Sequence, residues 1–246
     1  MTNALSYGTL PKITNLVISK QLEEARLMLK SYVTTYIKEE IQAEAIVRSI
    51  GSFQRFLDIA GQSNSQMIEY GNISRESQVQ SSTVKEFYTI LEDTLLGQFI
   101  WPFDRSERKK SRPKFYFFDC GVVRALNNRL NDPTTPSELV FLFETWFVNE
   151  LTRIRDYHQK ELKISLWRKD KYEIDIVVEN HVGIALAIEC KSGKNISEFN
   201  SIYAFKKQFP KTPILIASKD DIKPRKLDNG IEIFSWKDAI EMFKSM

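Results

Sequence analysis

Two carboxylates and a lysine on neighbouring extended segments are the side chains best suited to chemistry. In EIDIVVENHVGIALAIECK, from Glu173 to Lys191, Glu173, Asp175 and Val177 alternate with Ile174, Ile176 and Val178; Ala187, Glu189 and Lys191 alternate with Leu186, Ile188 and Cys190. A period of two suits a pair of strands. The intervening His181-Val182-Gly183 is expected to be a three-residue hairpin loop, a type I turn with glycine at the bulge, which sets Asn180 opposite Ile184. In that register Asp175 falls opposite Glu189, and Glu173 opposite Lys191.

Directly opposed residues share a face, and two like charges held there repel. A hard divalent cation bound by carboxylate oxygens relieves that repulsion. A neighbouring lysine can then polarise an attacking water or steady the charge that builds on a phosphate. The simpler reading of the same residues is the polar face of a half-exposed hairpin, where Glu and Lys are common. The pattern alone leaves both open.

At 246 residues the chain is long enough for one or two domains with a real core. An apolar fraction of 42% and a charged fraction of 27% are those of a soluble globular protein. A net charge of +3 is too small to indicate nucleic-acid binding; only its distribution can do that. Cys120 and Cys190 stand far apart, which favours a reduced compartment, and with two histidines and no CxxC a zinc site is not expected. There is no long apolar run and no signal-peptide pattern, so a cytoplasmic protein with no membrane contact is expected. No GxxxxGK[ST] occurs, so no nucleotide cofactor is expected.

Taken in order, residues up to about Lys12 read as a loop. Leu22, Ala25, Leu29, Val33 and Ile37 recur at helical spacing between Ser19 and Ala45. A helix capped by Ser52 carries Phe53, Phe56, Leu57 and Ala60, a short one covers Ile73–Val79, and Ser81 or Ser82 caps a third with Val84, Phe87, Tyr88, Leu91 and Leu95. Strands at Gly97–Phe103 and Lys114–Phe118 follow, so the three helices read as a winged helix-turn-helix. Between them, Arg105, Arg108, Lys109, Lys110, Arg112 and Lys114 place six cations in ten residues, a wing tip suited to the phosphates of DNA.

A short helix near Val122–Leu126 precedes the turn-rich NNRLNDPTTPSE, which marks a domain boundary. Beyond it a long helix, about Leu139–Tyr157, has an apolar face interrupted by Glu144 and Glu150. Strands then fall at Lys163–Arg168, Tyr172–Val178 and Ile184–Cys190, a helix at about Glu198–Gln208, strands at Ile214–Ala217 and Ile231–Phe234, and a last helix from Lys237. The expected domains are residues 1–45, a helical remnant; 46–127, the winged helix; and 137–246, an α/β unit of order αβββαβ.

This order, with Glu189 fourteen residues after Asp175 and Lys191 completing Glu-x-Lys, resembles the PD-(D/E)XK, or restriction-endonuclease-like, nucleases. The resemblance implies that Asp175 and Glu189 hold Mg2+ or Mn2+, that Lys191 positions water, and that Glu144 is an auxiliary acid and metal ligand. The phrases SSTVKEFYTILEDTLLGQFIWPF, KFYFFDCGVVRAL, FETWFVNEL, EIDIVVE and LAIECKSGK extend the likeness over nearly the whole chain. They resemble the C-terminal half of a prokaryotic AAA-type ATPase family, in which an ATPase core precedes a winged helix and a nuclease-like domain of unknown function. Tyr7-Gly8-Thr9-Leu10-Pro11 is similar to the segment that closes the family's ATPase portion. No ATPase activity is implied for this chain, which lacks the core. Nor does the helix after Lys191 carry the Gln-x-x-x-Tyr of RecB-like members; Tyr203 and Gln208 stand there instead. The resemblance implies a metal-dependent DNA nuclease, or alternatively a non-catalytic module that binds DNA, a protein partner or a second copy of itself.

Overall fold

A computed structural model describes residues 1–36, 50–103, 112–193 and 196–246, and shows a mixed α/β fold in two compact units. The first comprises Met1–Phe99 and Lys114–Thr135, the second Ile100–Pro113 and Pro136–Met246. Residues 1–36 therefore lie in one unit with the expected winged helix. Part of the helix expected over Ser19–Ala45 lies outside the described residues.

The first unit opens with α1 (Thr2–Tyr7) and the start of α2 (Pro11–Ile18) where a loop was expected, while α3 (Leu22–Ser31), running into a π-helical turn at Tyr32–Tyr36, falls in the stretch expected to be helical. Pro11 sits at the first position of α2, where its missing N–H costs nothing, and Ile13, Leu16 and Val17 are buried. The segment between α1 and α2 is tied to a residue 110 positions away. The Asp119 carboxylate accepts the Thr9 N–H at 2.6 Å and also caps α7 (Cys120–Leu126), accepting from Gly121 and Val122 at 2.8 and 3.1 Å.

Helices α4 (Ile50–Gln62), α5 (Tyr70–Ser77) and α6 (Ser81–Asp93), then the hairpin of β1 (Gly97–Ile100) and β2 (Lys114–Phe117), follow the order expected of a winged helix. An aromatic core binds them: Tyr88 lies 4.9 Å from both Phe56 and Phe115, ring centre to ring centre. Ser52 and Ser81 lie inside the helices rather than capping them, and α5 starts and stops earlier than expected. The first strand is also shorter than expected. Trp101–Phe103 instead joins the second unit's sheet: Pro102 bridges Leu166, and the Phe103 N–H donates to the Leu166 carbonyl at 2.7 Å.

The second unit holds α8 (Pro136–Tyr157), β3 (Lys163–Lys169), β4 (Tyr172–Glu179), β5 (Ile184–Lys191), α9 (Asn200–Gln208), β6 (Ile214–Ser218), β7 (Arg225–Lys226), β8 (Glu232–Ser235) and α10 (Trp236–Lys244). The order α8-β3-β4-β5-α9-β6 is the expected αβββαβ. Its six strands run β3-β4-β5-β6-β8-β7, with β4 antiparallel to both β3 and β5, and β5, β6 and β8 parallel. On one face, Val177, Ala187, Ile214, Ile216 and Ile233 pack against Ile202 and Phe205 of α9. On α8, Trp146 meets Trp236 edge-on at 5.1 Å. Among the described residues no helix is long and apolar enough to cross a membrane.

Candidate active site

The β4–β5 hairpin differs from its expected form at the tip and matches it in the strands. Glu179, not Asn180, pairs with Ile184, because Asn180 folds the loop: its side-chain oxygen accepts the Val182 and Gly183 N–H groups at 2.9 and 3.1 Å. A one-residue shift turns every later side chain to the other face. The register changes again at once, from Glu179↔Ile184 to Val178↔Leu186, leaving Ala185 as an extra, bulged residue. From there Val177 pairs with Ala187 and Ile176 with Ile188, as the pattern predicted.

Past Ile176 and Ile188 the backbone ladder between β4 and β5 stops. In place of a carbonyl, the Asp175 side chain serves β5: its Oδ2 accepts the Cys190 N–H at 2.9 Å. Asp175 and Glu189 are thus level on adjacent strands, with a side chain bridging the gap. Meanwhile β5 continues alongside β6, where Glu189 aligns with Ile216 and Lys191 with Ser218. Aligned residues of parallel strands share a face, so Glu189 and Lys191 continue the row begun by Ala187 on the α9 side.

Glu189 is 8% exposed. Its Oε1 accepts from Lys191 Nζ at 2.8 Å, and among the described residues its buried Oε2 has no hydrogen-bond partner. Burial, then the charges of Asp175 and Glu144, push its pKa up to about 8 against the pull of Lys191. For Lys191 burial alone acts downward, but the Glu189 charge and hydrogen bond, with Asp175 and Glu198, outweigh it and raise the pKa.

Glu144 is buried on α8, and its charge acts on Glu189. Glu173 does not face Lys191: it pairs with Arg168 at 3.5 Å, because β4 at that level runs with β3 and not with β5. Two neighbours carried no advance signal. Glu198, just before α9, acts on Lys191, and the Ser201 hydroxyl accepts the Glu173 N–H at 3.3 Å. Of the cations expected on the wing, Arg105, Arg108, Lys109 and Lys110 lie outside the described residues, and Arg112 is exposed. Lys114 is 5% exposed, inward on β2 beside Met67, and so is not a surface contact for a phosphate.

Among the described residues, no three of His, Cys, Asp and Glu gather into a group that could hold a metal ion. A magnesium-type site does not need three, since one or two carboxylates with water and substrate oxygens suffice. The donors here are hard oxygens, and one of them, Glu189 Oε2, is buried without a partner. The residues present fit a cation of that kind held by Asp175 and Glu189.

Two family models match the chain. Residues 141–238 match Domain of unknown function (DUF4143), a domain typically found at the C-terminus of AAA-ATPase proteins. Neither the curated proteins nor the solved structures contain a match. Residues 1–133 match Domain of unknown function (DUF8612). That match covers more than half of the 246 residues and includes the Asp119 clasp and the aromatic core, and the chain belongs to the DUF8612 family.

Proposed function

We propose that the second unit is a PD-(D/E)XK-type module that hydrolyses phosphodiester bonds of DNA with Mg2+ or Mn2+. The observation that carries this reading is the local opening of the sheet. Where β4 and β5 part, Asp175 fills the gap, and Glu189 presents a buried, unpartnered oxygen beside an ammonium group. A half-exposed structural hairpin has no reason to hold a carboxylate there, because a buried acceptor left unpaired costs about 1–3 kcal/mol, and more when charged.

Asp175 and Glu189 would hold the cation. When bound, it supplies a Lewis acid that lowers the pKa of water and neutralises charge growing on the phosphate. Lys191, kept protonated by its acidic neighbours, donates through Nζ and so can orient water or a non-bridging phosphate oxygen. Glu144 acts on Glu189 from α8 and adds negative potential that favours a divalent cation.

The test is cleavage of plasmid and single-stranded DNA with Mn2+ or Mg2+. Asp175→Ala and Lys191→Ala should each abolish cutting, while circular dichroism shows the fold retained. Wild-type protein that cuts nothing with either metal would overturn the reading.

A further inference from the structure

The strand directions set a second group of side chains at the same end of the sheet as the acidic pair. β3 ends at Lys169 and β4 begins at Tyr172, and the two residues pair across a turn of only Asp170 and Lys171. Because β4 is antiparallel to β5, this turn stands at the end where β5 finishes in Lys191 and β6 in Ser218. Asp170 takes the left-handed conformation, at φ 54°, that so short a turn requires. From Tyr172 to Asp175 is three residues, or about 10 Å along the strand.

Three cations stand in four positions there: Arg168, Lys169 and Lys171. Arg168 is taken by Glu173 at 3.5 Å. Lys169 and Lys171 are exposed, and among the described residues neither is ion-paired; Lys171 lies over the Tyr172 ring at 5.5 Å. Asp170 offsets one charge, but its carboxylate is on a single methylene, whereas four-carbon stems carry the two ammonium groups past it into solvent. The short turn fixes where both stems start. The turn that carries both stems lies about 10 Å along the strand from Asp175, about three base steps at about 3.4 Å of duplex rise per step.

We propose that the β3–β4 turn, through Lys169 and Lys171, seats the phosphodiester backbone of a nucleic acid strand and leads it to Asp175 and Glu189. This deepens the nuclease reading and rests on it for the destination of the strand, while the seat can be tested without cleavage. The seat takes phosphate and reads no base, so it has no sequence preference of its own.

The experiment is fluorescence anisotropy of a labelled 20-base-pair duplex, and of one of its strands alone, titrated with the full chain in EDTA over a salt series. Lys169→Ala/Lys171→Ala should flatten the slope of log K against log salt by about 1.8 for duplex or 1.4 for single strand, and weaken binding about 10- to 100-fold near 0.1 M salt. Lys169→Arg/Lys171→Arg should bind as wild type does. Lys207→Ala/Lys211→Ala removes the same charge from the last turn of α9 and the segment leading into β6, at the opposite end of the sheet, and should leave most of the slope intact. Three results would each overturn the proposal: a turn variant that binds with the wild-type slope, control lysines that matter as much, or a wild type that binds no DNA at 50 mM salt. Wild type that binds through the turn yet cuts nothing with Mn2+ upholds the seat and removes the nuclease reading; wild type that cuts, with the turn variant binding unchanged, removes the seat alone.

Discussion

Glu189→Gln should make the second unit more stable at alkaline pH while disabling its candidate site. The Glu189 pKa is raised from 4.5 to about 8, so below pH 4.5 the carboxyl is protonated folded or unfolded and contributes nothing to the pH dependence. Between pH 4.5 and 8 the unfolded chain releases this proton and the folded one keeps it, so the folded state binds more protons and stability falls as pH rises. Above pH 8 the buried carboxylate is ionised and the loss is complete. At about 1.4 kcal/mol per unit, the interval amounts to at most about 5 kcal/mol. Loss of the Lys191 pair in the variant reduces the observable difference to on the order of 2–4 kcal/mol. A glutamine amide oxygen can still accept from Lys191 Nζ, and the side chain has no charge to bury. All four tryptophans, Trp101, Trp146, Trp167 and Trp236, belong to the second unit, so urea unfolding followed by tryptophan fluorescence at pH 5, 6.5 and 8.5 reports on that unit alone. Wild type should weaken across the series and Glu189→Gln should not; Mn2+ at pH 8.5 should restore wild type only. Parallel pH profiles for the two proteins would refute the reasoning.

The first unit makes two further predictions. Gly8 has φ 80° and ψ −167°, and a Cβ there would lie 1.9 Å from Asp119 Oδ1, so Gly8→Ala should cost more than about 3 kcal/mol by strain and by displacing the clasp. Loss of helical circular dichroism ahead of any change in tryptophan fluorescence would show it, and unchanged unfolding would contradict it. Among the described residues the buried Tyr88 hydroxyl has no hydrogen-bond partner, so Tyr88→Phe should be neutral or up to about 1 kcal/mol more stable in urea; a clear destabilisation would mean that the hydroxyl has a partner.

Legibility in the sequence followed the range of the forces involved. The period-two runs around Asp175 and Glu189, and the helical face of α8, are local patterns, and the structure reproduces the alternation and the register from Val178↔Leu186 onward. The loop tip was misjudged because the Asn180 side chain competes for backbone N–H groups, and the Ala185 bulge then restored what the tip had shifted. Glu173 was placed opposite Lys191 by extending a ladder that stops at Ile176, a parting that depends on the separate partners of β4 and β5. The Asp119 clasp on Thr9 and the docking of Trp101–Phe103 on β3 join residues far apart in the chain, and no window of sequence contains them. Lys114 looked like one more basic residue of a wing tip, yet the strand's orientation buries it. The side chains around Glu189 are legible as types; the orphaned oxygen follows only from the burial of Glu189 on β5.

Asp175 and Glu189 should form a seat for a hard divalent cation, and calorimetric titration of Mn2+ at pH 8 tests this without a substrate. Wild type should bind at one site, and Asp175→Asn should bind at least about 10-fold more weakly, since even an outer partner of a ligand commonly costs that much. Equal binding by the two proteins, or no binding by wild type, would contradict it.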